Sequence, residues 1–292
     1  MVERIAILGT GLLGTSVGLA LREAGFKGQI AGWNRHSDQA RIALESGAID
    51  SVAVAADAAD AALEIARASQ VVLLAMPIYA TLDFMAQLAC VLGSEHMVTD
   101  VGSTKRLIAE SASRLYNTPE RAAFLPGHPM AGKERGGAAL GDANLFRGAV
   151  WLFTDDPAAR RSARSAELVK DWREWVVAMG AKTLDLEPVR HDELVAWVSH
   201  LPQFAATALS ALLEDEVGDA PELKDVGGRA LREMTRLGAS PYTMWRDIAH
   251  TNTEAVERAL LALEQRLAYL RENLRTPALR SEFERANRFR RE

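Results

Sequence analysis

Arg4-Ile5-Ala6-Ile7-Leu8-Gly9-Thr10-Gly11-Leu12-Leu13-Gly14 joins a short apolar run to a glycine-rich turn, and an amphipathic stretch carrying Val17, Leu19 and Leu21 follows. A strand covered on both faces has this unbroken apolar character, and the strand, turn and helix together form the opening of a dinucleotide-binding βαβ unit. Gly9 permits the tight turn. Gly11 removes a side chain where a pyrophosphate must approach, and Gly14 lets helix and strand pack closely. The helix N-terminus, beginning at Leu12 and Leu13, presents unpaired N–H groups to phosphates. A bare G-x-G-x-x-G is weak evidence; on a strand and starting at residue 9 it is specific.

Outward from this turn, further short apolar runs recur at 30–33, 71–75, 97–101, 123–125, 150–153 and 182–186, most of them followed by a turn and an amphipathic stretch. That alternation predicts an α/β fold with a parallel sheet and an N-terminal Rossmann-type dinucleotide-binding domain. Residues 158–179 read as a helix with Leu168, Trp172, Trp175 and Val176 on one face, and the alanine-rich 53–68 as a good helix former. After Pro188 the strand signals stop. The expected division is therefore a Rossmann-type domain over 1–187 and an all-helical domain over 188–292, with helices at 191–216, 221–238 and 241–273. Ile248, Ala255, Ala259, Ala262 and Leu263 share a face suited to packing against another subunit, so a homodimer is expected. Four arginines in 285–292 predict a solvated, partly disordered end.

At 292 residues, 48% hydrophobic and 25% charged, the chain is long enough for two cores and too ordinary in composition for a disordered or fibrous protein. A net charge of -5 gives no overall field for a phosphate backbone, so nucleic acid is not an expected partner. The single cysteine, Cys90, excludes an internal disulfide and reads as a small buried hydrophobe on a helix. No Cys/His cluster has metal-ligand spacing. The first apolar run is too short for a signal core or a membrane span, which points to a cytoplasmic protein without membrane attachment.

The second strand of such a unit normally ends in a carboxylate for the adenosine ribose of NAD. Here it ends in Trp33-Asn34-Arg35-His36, and Asp38 lies too far into the next helix. Arg35 could pair with a 2'-phosphate, with Asn34 and His36 as nearby donors, so NADP is the preferred cofactor and NAD the other possibility. Pro77 and Gly102 close the next two strands on the cofactor side. Of the six histidines, His128 alone sits in a Gly/Pro-framed turn after a strand. His36, His96, His191 and His250 read as structural.

Together these features resemble the prephenate and arogenate dehydrogenases, NAD(P)-dependent enzymes of tyrosine biosynthesis. The resemblance covers essentially the whole chain and rests on Gly9 to Gly14, Asp100-Val101-Gly102-Ser103-Thr104-Lys105, Gly127-His128-Pro129-Met130-Ala131-Gly132-Lys133-Glu134, Ser199-His200-Leu201-Pro202-Gln203, and Met234 to Pro241 with Trp245. It implies oxidative decarboxylation of prephenate to 4-hydroxyphenylpyruvate, or of L-arogenate to tyrosine, by a homodimer joined through its helical half. It implies roles for His128 as the catalytic histidine, Ser103 as its orienting partner and Arg236 as the holder of a substrate carboxylate. His200 and Glu134 match further active-site positions, and Trp245 one that reaches a neighbouring subunit. No chorismate mutase segment before Arg4 and no regulatory domain after Glu292 are expected.

The residue chemistry agrees. Oxidising a ring alcohol needs a base near neutral pKa, and histidine has that default. A dianionic substrate needs cationic donors, which Arg236 supplies; Lys133 and Lys105 are candidate helpers, though a surface position is the simpler reading for each. Two rivals remain: a β-hydroxyacid-type dehydrogenase and a non-catalytic NADP-sensing protein. The first relies on a lysine in its helical half, yet 191–216 contains none. The second has no need of His128, Ser103 and Arg236 together.

Overall fold

A computed structural model describes residues 1–53 and 58–291. Its first sheet has six parallel strands: β1 (Arg4–Leu8), β2 (Gln29–Trp33), β3 (Ser51–Val52), β4 (Val71–Leu74), β5 (Met97–Asp100) and β6 (Ala123–Leu125), in spatial order β3-β2-β1-β4-β5-β6. Helices α1 (Leu12–Glu23), α2 (Ser37–Glu45), α3 (Ala58–Arg67), α4 (Ile78–Val91) and α5 (Arg106–Tyr116) connect them. The order reverses at β1, where in open α/β sheets ligands bind beyond the strand ends. β3 was not expected from the sequence, since two residues carry no periodicity. Of the alanine-rich stretch 53–68, residues 54–57 lie outside the described part.

Two apolar layers cover this sheet. Ile5, Ile7, Val17, Leu21, Ile30 and Val71 lie in one core; Leu8, Val72, Leu74, Met85, Leu88 and Ile108 lie in the other. The alternation along β1 sends successive residues to opposite cores, as the two-residue period of a strand requires.

The runs 150–153 and 182–186 do not extend the parallel sheet. They form β8 (Val150–Phe153) and β9 (Lys182–Asp185) of a separate three-stranded sheet, in which β7 (Gly127–Pro129) pairs antiparallel with β8. Helix α6 (Ala163–Ala178) packs on it, with Leu168, Trp172 and Val176 buried and Ser162 capping its first turn by accepting from the Ser165 N–H at 3.0 Å. Helix α6 thus starts later than 158. Cys90 is on a helix as expected but exposed, which corrects its reading as a buried residue.

The helical half is more divided than the periodicity suggested. The run 191–216 becomes α7 (Pro188–Val195), a π-helical turn (Ala196–His200) and α8 (Leu201–Val217). The run 221–238 becomes α9 (Leu223–Val226) and α10 (Arg229–Thr235), parted by Gly227 and Gly228 and followed by a 3-10 turn (Arg236–Ala239). The run 241–273 is two helices, α11 (Tyr242–Thr251) and α12 (Thr253–Glu272), because Asn252 leaves helical geometry with φ -134° and ψ 32°. The arginine-rich end is exposed, as expected, and up to Arg291 it is helical rather than irregular. It lies in α13 (Ala278–Arg291), which is tied to α12 by the Glu282–Arg266 pair at 2.7 Å.

Contacts group the chain into two compact units, Met1–Asp192 with Ala239–Thr251, and Glu193–Gly238 with Asn252–Glu292. A single cut at residue 188 does not describe this division, since α11 belongs with the sheets: Ile248 is buried in the second core and Trp245 packs against it. The face expected to meet another subunit is partly used up inside the chain. Ile248 is in that core, and Ala255 and Ala259 are buried in the helical unit.

Candidate functional site

In the sheet unit, the glycine turn has the form that the sequence implied. Gly9 has φ +104° and lies against β4, so that a Cβ there would meet the Ala75 carbonyl oxygen at 2.2 Å. A Cβ on Gly14 would meet the Gly9 carbonyl oxygen at 2.1 Å, whereas one on Gly11 would meet nothing within 4 Å. Two glycines therefore serve packing, and the third borders open space. Helix α1 begins at Leu12 without a side-chain cap, leaving its first N–H groups for whatever fills that space. Leu12 is buried and Leu13 half-buried. Pro77 ends the next loop at the start of α4.

At the end of β2, Asn34 Oδ1 accepts the His36 N–H at 2.9 Å and closes the turn, while Arg35 and His36 are exposed. Asp38 sits in the first turn of α2, where the hydrogen bond from Gln39 holds its carboxyl below the usual range.

The end of β5 carries a fully buried ion pair. Lys105 Nζ donates to the Asp100 carboxylate and, at 2.8 Å, to the Gly127 carbonyl. Asp100 also accepts the N–H of Gly102 at 2.7 Å and of Gly127 at 3.1 Å. These bonds bind the loop after β5 to the start of β7. Burial pulls the Lys105 ammonium below its ordinary value, against the opposing pull of Asp100. Lys105 is thus a buried organiser of the site rather than a surface residue.

His128 lies in β7, not in a turn, and it is 8% exposed. Antiparallel pairing places it opposite Leu152. Its Nδ1 is 2.9 Å from Nε2 of His191, and His191 Nδ1 is 2.8 Å from Asp192 Oδ1. The Asp192 carboxylate in turn accepts the backbone N–H groups of Lys105 (2.7 Å) and Arg106 (3.0 Å) at the start of α5. Burial pulls His191 below the ordinary histidine value, with the Asp192 hydrogen bond opposing. This chain contains two residues that the sequence reading left out, as His191 was taken for structural. The available signal was the adjacent His191-Asp192 pair just after Pro188.

Ser103 stands half-buried in the loop before α5, while His128 Nδ1 is engaged by His191. The neighbouring Thr104 hydroxyl meets the Thr251 hydroxyl of α11 at 2.8 Å. Glu134 is half-buried in the loop after β7. Lys133 is exposed and bonds the Leu140 carbonyl at 2.9 Å. Trp245 packs against its own sheet unit's core.

In the helical unit, His200 ends the π-helical turn and is 1% exposed, with its Nδ1 3.4 Å from Asn252 Nδ2. Gln203, one turn on, donates to the Leu237 carbonyl at 2.7 Å and so holds the segment that carries Arg236. Arg236 opens the 3-10 turn after α10. π-helical insertions recur at functional positions, and this one sets His200 out of register with α7. No group of metal-ligating side chains and no helix long and apolar enough to cross a membrane occur among the described residues.

Residues 17–183 match the family described as prephenate dehydrogenase, nucleotide-binding domain, and residues 187–286 match the prephenate dehydrogenase dimerization domain. A prephenate dehydrogenase of Lactococcus lactis subsp. cremoris is 31% identical over 257 residues, covering 87% of this chain and 66% of that protein. The chain therefore spans just under two thirds of that relative's length. The crystal structure of prephenate dehydrogenase from A. aeolicus in complex with hydroxyphenyl propionate and NAD+ aligns with a TM-score of 0.83 at 28% identity, over 99% of this chain and 97% of that one. Synechocystis arogenate dehydrogenase aligns with a TM-score of 0.74 at 27% identity, over 98% of each chain.

Proposed function

Because this chain belongs to the prephenate dehydrogenase family, we propose that it catalyses the NAD(P)-dependent oxidative decarboxylation of prephenate to 4-hydroxyphenylpyruvate, or of L-arogenate to tyrosine. The observation that carries this reading is His128, held in a buried hydrogen-bonded chain on the unit that also bears the glycine turn.

The open space at Gly11 and the uncapped start of α1 fit a dinucleotide diphosphate. Gly9, Gly11, Leu12, Leu13 and Gly14 would hold it, with Pro77 and Gly102 lining the remainder of the loop ends. Bound there, NAD(P)+ supplies the hydride acceptor. We assign preference to NADP, because the exposed Arg35 with Asn34 and His36 ends β2 without a carboxylate to repel a 2'-phosphate.

His128 Nε2 takes the proton of the ring hydroxyl while the carbinol C–H bond breaks. The bond from the ring to its carboxylate then breaks, its electron pair enters the ring, CO2 leaves, and the oxygen is reprotonated to a phenol. Aromatisation makes the sequence effectively irreversible. Ser103 bonds the same hydroxyl. Arg236 holds a substrate carboxylate as a charge-assisted pair, and His200, Glu134, Lys133 and Trp245 complete substrate binding.

The chain acts as a homodimer through its helical unit. Support comes from the apolar surface that this unit leaves exposed, including Leu212, Leu261, Leu267, Leu274 and Phe283 at more than half their full area. The test of function is turnover: the purified chain is given prephenate or L-arogenate with NAD+ or NADP+, and reduced nicotinamide and CO2 are followed together. Formation of both supports the reading. No turnover of either substrate with either cofactor overturns it.

A further inference from the structure

We infer that His191 and Asp192 are positioning residues that fix the tautomer of His128, placing its proton on Nδ1 and leaving Nε2 as the basic nitrogen. The inference rests on the reading of His128 as the base. It follows from the direction in which each hydrogen bond must run. A carboxylate has lone pairs and no proton to give. The two oxygens of Asp192 each accept a backbone N–H at the start of α5, from Lys105 and Arg106, and both bonds are in place before any histidine is considered. The ring contact at 2.8 Å therefore has His191 Nδ1–H as donor and Asp192 Oδ1 as acceptor.

A neutral His191 protonated at Nδ1 has a lone pair at Nε2. Its 2.9 Å contact with His128 Nδ1 then has one possible direction, from His128 Nδ1–H to His191 Nε2. The proton of neutral His128 is thereby placed on the nitrogen facing away from the reaction. Once Nε2 takes a proton from substrate, the Nδ1–H bond to His191 strengthens, since its donor has become an imidazolium. The charged groups around His191 are Asp192 on its own helix, Lys105 and Asp100 from the end of β5, and His128 from β7. Lys105 opposes a second positive charge here, and burial acts in the same sense, keeping His191 neutral.

The arrangement makes a helix N-terminus the fixed end of the chain. Asp192 satisfies two of the N–H groups that open α5 and lies at the positive end of that helix's dipole. His128 is thus oriented by a rigid element rather than by its own short strand.

Imidazole nitrogen NMR of the histidine rings reads the tautomer directly, without substrate. In the wild type His128 is expected as the Nδ1–H form. In Asp192→Asn the amide can donate to His191 Nδ1, reversing the chain and moving the His128 proton to Nε2. With turnover, Asp192→Asn and His191→Leu should each lower kcat by at least about 10²-fold with substrate KM within about threefold; loss of the orienting carboxylate in a serine-protease triad costs about 10⁴-fold. His191→Gln, which can still offer an oxygen to His128 Nδ1, should recover at least about tenfold of the loss. The acid limb of kcat/KM should move to lower pH in His191→Leu, because the imidazolium has lost its acceptor.

A wild-type His128 in the Nε2–H form overturns the inference, whatever the variants do. So does a wild-type kcat in folded His191→Leu. If neither prephenate nor L-arogenate is turned over, the proposed function fails, while the NMR result still decides the tautomer.

Discussion

Lys105 and Asp100 form an ion pair with neither side chain reaching solvent, and through it the loop after β5 is bonded to the strand that carries His128. A buried charge stripped of its partner is far more costly than a buried pair. Lys105→Met should therefore destabilise the fold by about 3–5 kcal/mol, read as a fall in denaturation midpoint. Adding Asp100→Asn to that variant should restore part of the loss, because the charge left behind is removed and the amide oxygen can still accept from Gly102, although the bond from the Gly127 N–H to the other carboxylate oxygen is given up.

Stability should decline at mildly acid pH through His191. Its folded-state pKa lies below the ordinary value of about 6.5. Below that value the unfolded chain binds a proton that the folded chain does not. The stabilisation is therefore complete above about pH 6.5 and is lost as pH falls through it, at up to about 1.4 kcal/mol per pH unit. Urea denaturation across this range should show the slope, and His191→Gln should flatten it.

The glycines of the first turn should separate folding from binding. Gly14→Val places carbon against the Gly9 carbonyl and should cripple folding. A Cβ at Gly11 meets no protein atom within 4 Å, so Gly11→Val should melt close to the wild type, yet cofactor affinity, measured by nicotinamide fluorescence, should drop at least about tenfold. Normal cofactor binding by Gly11→Val would move the diphosphate elsewhere.

Arg35→Ala should weaken NADP by about tenfold while leaving NAD within about twofold, since the contact proposed for the guanidinium is with the 2'-phosphate alone. Equal losses for both cofactors would show that Arg35 acts on the turn and not on the phosphate.

Arg236→Ala should raise substrate KM strongly, by about 10²-fold, and leave cofactor affinity alone. An unchanged KM in steady-state kinetics would remove Arg236 from substrate binding.

The sequence displayed its local patterns well and its partnerships poorly. The glycine turn was legible because a strand, three spaced glycines and a helix lie within twenty residues. The strand runs 150–153 and 182–186 were found, but an apolar run does not reveal its neighbour, and only the structure shows the separate sheet with β7. Asn252 breaks a helix without glycine or proline, so periodicity ran straight through it. Lys105 looked like a surface lysine because its counter-charge is five residues away on the preceding strand. His191 looked structural because its partner is 63 positions earlier. Chemistry that depends on two distant residues meeting leaves its mark on each only as an ordinary polar letter.

The return of α11 to the sheets has a consequence for how the protein is made. Ile248 fills the second core, and the Thr104 and Thr251 hydroxyls meet at 2.8 Å. A ribosome releases the last strand, β9, more than fifty residues before it releases Ile248 and Thr251. During that interval the nascent sheet unit has a core open on one side, in need of a chaperone or of haste. A gene cut at residue 188 would leave the chain permanently in that state.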